Sequence, residues 1–200
     1  MRKSLPVRKI INPKFIFPNK FLIWNLGIGI CCLLLTKEGF GGEWGVGGGV
    51  GVALPAGGLG RDLKGGPRLE VVGGREVRSG LRIQGGLRIF PLKGKREGVE
   101  VNLLSAGLSA LYKTSTTREK ISLLISGGLG WDWINRSFQT GREKGSGPFL
   151  SGEGGVSLPF GSAVGGLDLE GLLIFHRILS QEPGDIVSFG LRIWYNFNEK

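Results

Sequence analysis

From Trp44 to Phe197 apolar residues alternate with polar or small ones at a period of two, and this constrains the fold more than any other feature. The closing stretch, VSFGLRIWYNF, is the plainest case. Phe189, Leu191, Ile193, Tyr195 and Phe197 share one face, and Ser188, Gly190, Arg192, Trp194 and Asn196 share the other. Side chains alternate across a β-strand, so each such run reads as a strand with one apolar face. No window carries a sustained 3.6-residue period with helix caps.

Seven further runs precede it. WGVGGGVGVAL sets Trp44, Val46, Val50, Val52 and Leu54 against four glycines and Ala53. Near residues 67–74, Leu69 and Val71 oppose Arg68 and Glu70; then Leu81, Ile83, Leu87 and Ile89 oppose Arg82, Gln84 and Arg88. The fourth run is assigned Val99, Val101, Leu103 and Leu111 on its apolar face, opposite Glu100, Asn102, Leu104 and Tyr112. In the fifth, Ile121, Leu123, Ile125, Leu129, Trp131 and Trp133 oppose Ser122, Ser126 and Asp132. The sixth sets Leu150, Val156 and Leu158 against Ser151, Glu153 and Ser157, and the seventh sets Leu167, Leu169, Leu173 and Phe175 against Asp168, Glu170 and His176. Breakers recur about every 20 residues, which suits strands of roughly 9–11 residues joined as hairpins. Glycine supplies 38 residues without a G-X-Y period, so collagen is a poor reading, and glycine must serve close backbone approach or bulges.

The N-terminal region is different. Arg2, Lys3, Arg8, Lys9, Lys14 and Lys20 are followed by the apolar run Phe21 to Leu35. That run is short for a membrane-spanning helix, which needs roughly 20 residues, and matches the basic and apolar regions of a secretory signal. Residues 1–41 therefore read as a signal peptide with cleavage before Gly42, the alternative being an uncleaved anchor. Removing them takes seven of the 26 Lys/Arg and one of the 16 Asp/Glu, so the formal charge falls from +10 to +4. The basicity is mostly an export feature, and no nucleic-acid partner is expected. Both cysteines, Cys31 and Cys32, fall in this segment, which leaves residues 42–200 without a disulfide or cysteine metal site. Lipidation is disfavoured, because the residues before them, Ile30 and Cys31, do not suit it.

Alternation alone does not say which face is inside, and a secreted β-sandwich or soluble barrel remains the competing architecture. Three features favour the membrane: the export signal, apolar faces that end in Trp44, Trp131, Trp133, Tyr195 and Phe197 as interfacial girdles do, and opposite faces rich in small residues but poor in Lys. The expected fold is all-β: an eight-stranded antiparallel up-and-down transmembrane barrel over residues 42–200.

In this pattern the chain resembles the small outer-membrane β-barrels of Gram-negative bacteria, like OmpA and OmpX, over about Trp44 to Phe197. The most specific piece is Gly190-x-x-Ile193-x-Tyr195-x-Phe197, which resembles the terminal signal read by the barrel-assembly machinery. The resemblance implies an outer-membrane location and that machinery as a partner.

An eight-stranded barrel has an interior that side chains just fill. The residues assigned inward include Arg68, Glu70, Arg82, Arg88, Glu100, Asp132, Glu153, Asp168, Glu170 and Arg192: four arginines facing six carboxylates. Buried charges need partners, so a paired network that closes the lumen is expected, with an ion pathway as the alternative. If the first strand pairs with the last, the Gly45–Gly51 strip lies beside Arg192 and Trp194. The loops near 55–66, 91–98, 137–147 and 177–185 are expected to face outward and carry Arg61, Lys64, Lys93, Lys95, Arg96, Arg142, Lys144 and Arg177. Such a rim suits the phosphates of lipopolysaccharide or acidic polymers on other surfaces, against the plain alternative of solvated loops.

Signals of chemistry are sparse. His176 is the single histidine, in FHRILSQEPGD. This invites comparison with outer-membrane lipid A deacylases, whose His-x-Ser-Asn motif is not matched: Arg177 and Ile178 follow His176, and Ser180 lies two residues too far along. Ser180 and His176 with Glu170 or Glu182 are the only catalytic candidates. GVGGGVG is followed by no helix, so it is not a dinucleotide loop. No cofactor or metal is expected. The function read from the sequence is a structural or adhesive outer-membrane barrel, acting as a monomer, with a lipid A-modifying hydrolase and a narrow channel as alternatives.

Overall fold

The computed structural model describes residues 43–115, 121–139, 141–160, 166–180 and 183–197. The segment read as a signal peptide lies outside them, as does Glu182. Eight long strands follow one another: β1 (Trp44–Ala56), β2 (Gly66–Arg78), β3 (Leu81–Gly94), β4 (Glu100–Ser115), β5 (Ser122–Phe138), β6 (Gly141–Phe160), β7 (Gly166–Ile178) and β8 (Gly184–Phe197). Each is antiparallel to the next. The sheet closes through β1 and β8, which pair from Trp44 opposite Phe197 to Ala56 opposite Asp185. A one-turn helix, α1 (Leu59–Asp62), and a two-residue ladder of Leu63 and Lys64 on Gly94 and Lys93 occupy the first loop. A closed sheet leaves no long edge strand, which is what a chain in lipid requires, since unpaired backbone groups there have no water to bond.

The two faces settle which side is inside. Val71, Ile125 and Leu129 on the outer face are 67%, 66% and 62% exposed, and Val50, Leu87, Leu150, Leu173 and Leu191 continue the band round the sheet. The inner face buries Arg68, Glu70, Glu153, Glu170 and Arg192. A water-soluble barrel has the reverse arrangement, so this molecule is built for lipid and the soluble alternative falls. Trp44, Tyr195 and Phe197 lie at the end of the barrel where β1 begins and β8 ends, with Arg75 over the Trp44 ring at 5.5 Å. Trp131 and Trp133 lie toward the opposite end, beside Pro148 and Ser146. Aromatic rings at both margins of an aliphatic band are the girdles of a membrane barrel.

Two expectations need correction. On β4 the faces are exchanged: Val101, Leu103 and Leu111 point inward and are buried, whereas Glu100, Asn102, Leu104 and Tyr112 are exposed. Glu100 is therefore not a lumen residue. The cause is that β4 has leucines on both faces, so a period of two does not fix its phase. The true outward set is Leu104, Ala106, Leu108, Ala110 and Tyr112, and the inward set includes Ser105, Gly107, Ser109 and Lys113.

The second correction concerns residues 137–147. They do not form a long loop: β5 and β6 continue as a ladder, with Asn135 opposite Lys144, Arg136 opposite Glu143 and Phe138 opposite Gly141. Backbone pairing in water needs no apolar face, and opposite charges across Arg136 and Glu143 assist it.

Inside, the end of the barrel that carries the loops is filled by an apolar cluster of Ala53, Leu63, Phe90, Leu92, Val101, Leu103, Ile134, Ile178 and Ile186, with Leu59 of α1 packed on it. A smaller cluster, Leu111, Leu124, Leu172 and Ile174, lines the β4–β7 wall. The charged residues occupy the space between and beside these clusters.

Candidate functional site

Arg192 on β8 is fully buried and is the hub of the lumen. Its Nε–H donates to Glu70 Oε1 at 2.9 Å, Nη1 to Glu170 Oε2 at 3.1 Å and Nη2 to Glu153 Oε2 at 3.3 Å. One guanidinium thus binds carboxylates from β2, β6 and β7, a use of its planar fork of donors that an ammonium group could not copy. Further arginines complete the lattice. Arg88 donates through Nε to Glu70 Oε2 at 3.1 Å and through Nη2 to Glu153. Arg82 donates to Glu170 Oε1 at 2.9 Å, and Arg68 to Ser188 Oγ at 3.1 Å and Glu70 Oε1 at 3.5 Å.

The geometry follows from the strand phases. Arg68 and Glu70 are two residues apart on one strand and so share the inner face; the same holds for Asp168 and Glu170. Glu70 stands opposite both Arg88 and Gly49 across its ladders, and Arg192 stands opposite Gly49 and Glu170. A Cβ on Gly49 would lie 2.6 Å from Glu70 Oε1, and one on Gly45 would lie 2.5 Å from the Trp194 ring. The glycine face of β1 is therefore the room into which Glu70 and Trp194 are packed. Trp194 is fully buried, with the Arg82 guanidinium 3.6 Å from its ring centroid and its indole N–H donating to Asn196 Oδ1 at 2.6 Å.

Two partners were not legible beforehand. Lys113 on β4 donates to Asp168 Oδ2 at 2.7 Å, a pairing hidden by the mistaken phase of that strand. Asp132 accepts from Ser105 Oγ at 2.5 Å and from the Nε2–H of His176 at 3.0 Å. With Glu100 removed and Lys113 added, Arg68, Arg82, Arg88, Lys113 and Arg192 stand against Glu70, Asp132, Glu153, Asp168 and Glu170, five charges of each sign.

The catalytic candidates among the described residues, His176, Ser180 and Glu170, lie along and just beyond β7. His176 is buried between the rings of Phe90 and Phe149, at centroid distances of 5.6 and 4.3 Å, and its polar partner is Asp132. Glu170 is six residues down the same strand, about 20 Å at the ordinary strand rise, and is bound to Arg82 and Arg192. Ser180 lies beyond the end of β7, beside Gly147. A nucleophile and its base need hydrogen-bond reach; here the Nε2 of His176 is engaged by Asp132 and its Nδ1 has no hydrogen-bond partner among the described residues. Among the described residues no cluster of His, Cys, Asp and Glu is placed to hold a metal ion.

The residues resembling the assembly signal lie on β8. Ile193 and Phe197 face outward and are exposed, Tyr195 is half-buried with its ring edge-on to Phe197 at 5.0 Å, and Gly190 faces the lumen beside Arg68. All eight cations expected on the rim, Arg61, Lys64, Lys93, Lys95, Arg96, Arg142, Lys144 and Arg177, are exposed at the loop end.

A closed eight-stranded sheet with an apolar, aromatic-margined exterior and a charged interior defines a membrane-spanning barrel of the small outer-membrane kind. Solved structures of that kind are similar to it. Neisserial surface protein A matches with a TM-score of 0.63 and 15% identity, over 77% of this chain and 97% of that one. The N-terminal barrel domain of Pseudomonas aeruginosa OprF matches with a TM-score of 0.54 and 15% identity, over 78% and 99%. Ail, the attachment invasion locus protein of Yersinia pestis, in complex with the heparin analogue sucrose octasulfate, matches with a TM-score of 0.50 and 14% identity, over 78% and 99%. No protein-family model matches the sequence, and no curated protein matches it significantly.

Proposed function

We propose that this protein is a structural or adhesive component of the outer membrane, a rigid barrel with a closed lumen that presents a basic rim to the outside. Residues 1–41 export it, and the barrel-assembly machinery reads Gly190, Ile193, Tyr195 and Phe197 on its last strand. The single observation that carries the reading is Arg192, buried against three glutamates beneath an apolar cluster at the loop end. A lumen filled in this way is suited to rigidity and leaves little continuous water for transport. The exposed cations of the rim suit anionic surfaces: lipopolysaccharide phosphates in the same leaflet and acidic polymers on other cells. That Ail was crystallised with a sulfated sugar supports looking for the same charge class here.

The test is retention of the protein, in zwitterionic nanodiscs, on a heparin column. Wild type is expected to bind at low salt, and the triple variant R96Q/R142Q/K144Q to elute earlier. A wild-type barrel that passes straight through at low salt would overturn the adhesive part. Stepwise currents in planar bilayers would overturn the closed lumen.

A further inference from the structure

The loop end holds a cleft of about 680 Å³, within the size range of small-molecule sites, roughly 300–1,000 Å³. Its lining combines two chemistries. Leu59, Val99 and Phe138 are apolar and adjoin Leu63 and Val101 of the buried cluster, which also line it. Arg61, Lys95, Arg96 and Arg136 are its cations, with Asp62 the one carboxylate among the lining residues.

The walls are built rather than incidental. Leu63 and Lys64 are laddered onto β3, the Lys95 backbone N–H donates to Asp62 O at 2.8 Å, and Lys95 Nζ donates to Gly60 O at 2.6 Å. The turn that carries Arg96 is closed by the Gly94 N–H donating to Val99 O at 2.7 Å. These bonds tie the first loop to the second. Left to water, it exposes apolar side chains beside Arg61, Lys95 and Arg96, with Asp62 the one carboxylate of the lining, and both are unfavourable. A single molecule with an anionic head and an apolar tail relieves both.

We propose that this cleft binds a small anionic amphiphile, its phosphate or like group on Arg61, Lys95 and Arg96 and its tail against Leu59, Val99 and Phe138. The proposal rests on the basic rim described above and deepens it by assigning one defined site within it. It differs from a diffuse rim in requiring head and tail together.

The experiment is calorimetric titration of the full barrel in phosphatidylcholine nanodiscs with hexyl phosphate, inorganic phosphate and hexanol, with empty nanodiscs subtracted. Hexyl phosphate is expected to bind at least about tenfold more tightly than either fragment. R61Q/R96Q should weaken it about tenfold, since two charge-assisted contacts are removed. V99S/F138A should weaken it several-fold, and R142Q/K144Q, at the β5–β6 hairpin tip outside the cleft, should leave it unchanged. Each variant is checked for a folded band on an unboiled gel. Hexyl phosphate binding no better than inorganic phosphate, or losing as much affinity in R142Q/K144Q as in R61Q/R96Q, would overturn the cleft and leave only a diffuse basic rim. Hexyl phosphate binding that persists in a protein with no heparin retention would support the cleft while removing the adhesive reading.

Discussion

At the scale of single residues, Gly49 and Lys113 show how tightly the lumen is specified. Gly49 faces inward where the Glu70 side chain and the Leu191 carbonyl already fill the space, whereas Val50 beside it faces lipid and is 60% exposed. Gly49→Leu is therefore expected to destabilise the barrel far more than Val50→Leu, by several kcal/mol against less than about 0.5 kcal/mol. Urea unfolding in lipid vesicles reads the difference, and equal midpoints would contradict the packing. Lys113 is the partner of Asp168, at 31% side-chain exposure against 6% for the carboxylate. Lys113→Met leaves Asp168 without that cation, and a loss of about 1–3 kcal/mol is expected. The double variant Lys113→Met with Asp168→Leu should recover part of it, because replacing both partners removes the orphaned charge.

At the scale of strands, what could be read from the sequence depended on how differently the two faces were populated. On β5, β7 and β8 one face carries Ser, Asp, Glu or Arg and the other Leu, Ile or aromatic residues, so both strand and phase were legible. On β4 Val101 and Leu103 oppose Leu104 and Leu108, and only the small inward residues Ser105, Gly107 and Ser109 with Lys113 disclose the phase. The hairpin of β5 and β6 was hidden for the opposite reason: Arg142, Glu143 and Lys144 resemble a loop because nothing there is buried. Cross-lumen partners were beyond reach, since which Arg meets which Glu depends on the stagger of strands round the barrel. The corrected phase of β4 has its own test. Leu108, at mid-strand, faces lipid, so Leu108→Arg should cost about 2–4 kcal/mol, while Asn102→Arg at the loop end should cost about 0–1 kcal/mol. Reversed costs would restore the opposite phase.

At the scale of the molecule, exterior and interior are solvated by different media, and the sequence satisfies each separately. Outside, aliphatic side chains meet acyl chains and aromatic rings meet the interfaces. Inside, Arg68, Arg82, Arg88, Lys113 and Arg192 pair with Glu70, Glu153, Asp168 and Glu170 beside apolar clusters, and Asp132 is held by Ser105 and His176. Such a network adds little to net stability over a well-packed apolar core, but breaking it at one member leaves charge without a partner. Arg192 is where that cost concentrates, because its removal leaves Glu70, Glu153 and Glu170 each short of a donor.

The most direct measurement is the temperature at which the folded band disappears from gels of detergent-solubilised protein, compared for wild type, Arg192→Gln and Glu100→Gln. Wild type and Glu100→Gln should keep a heat-modifiable band to the same high temperature, and Arg192→Gln should lose it far earlier, in line with a loss of about 3–5 kcal/mol. A protein that runs identically boiled and unboiled, or three proteins that melt together, would contradict a barrel closed round a lattice held by Arg192.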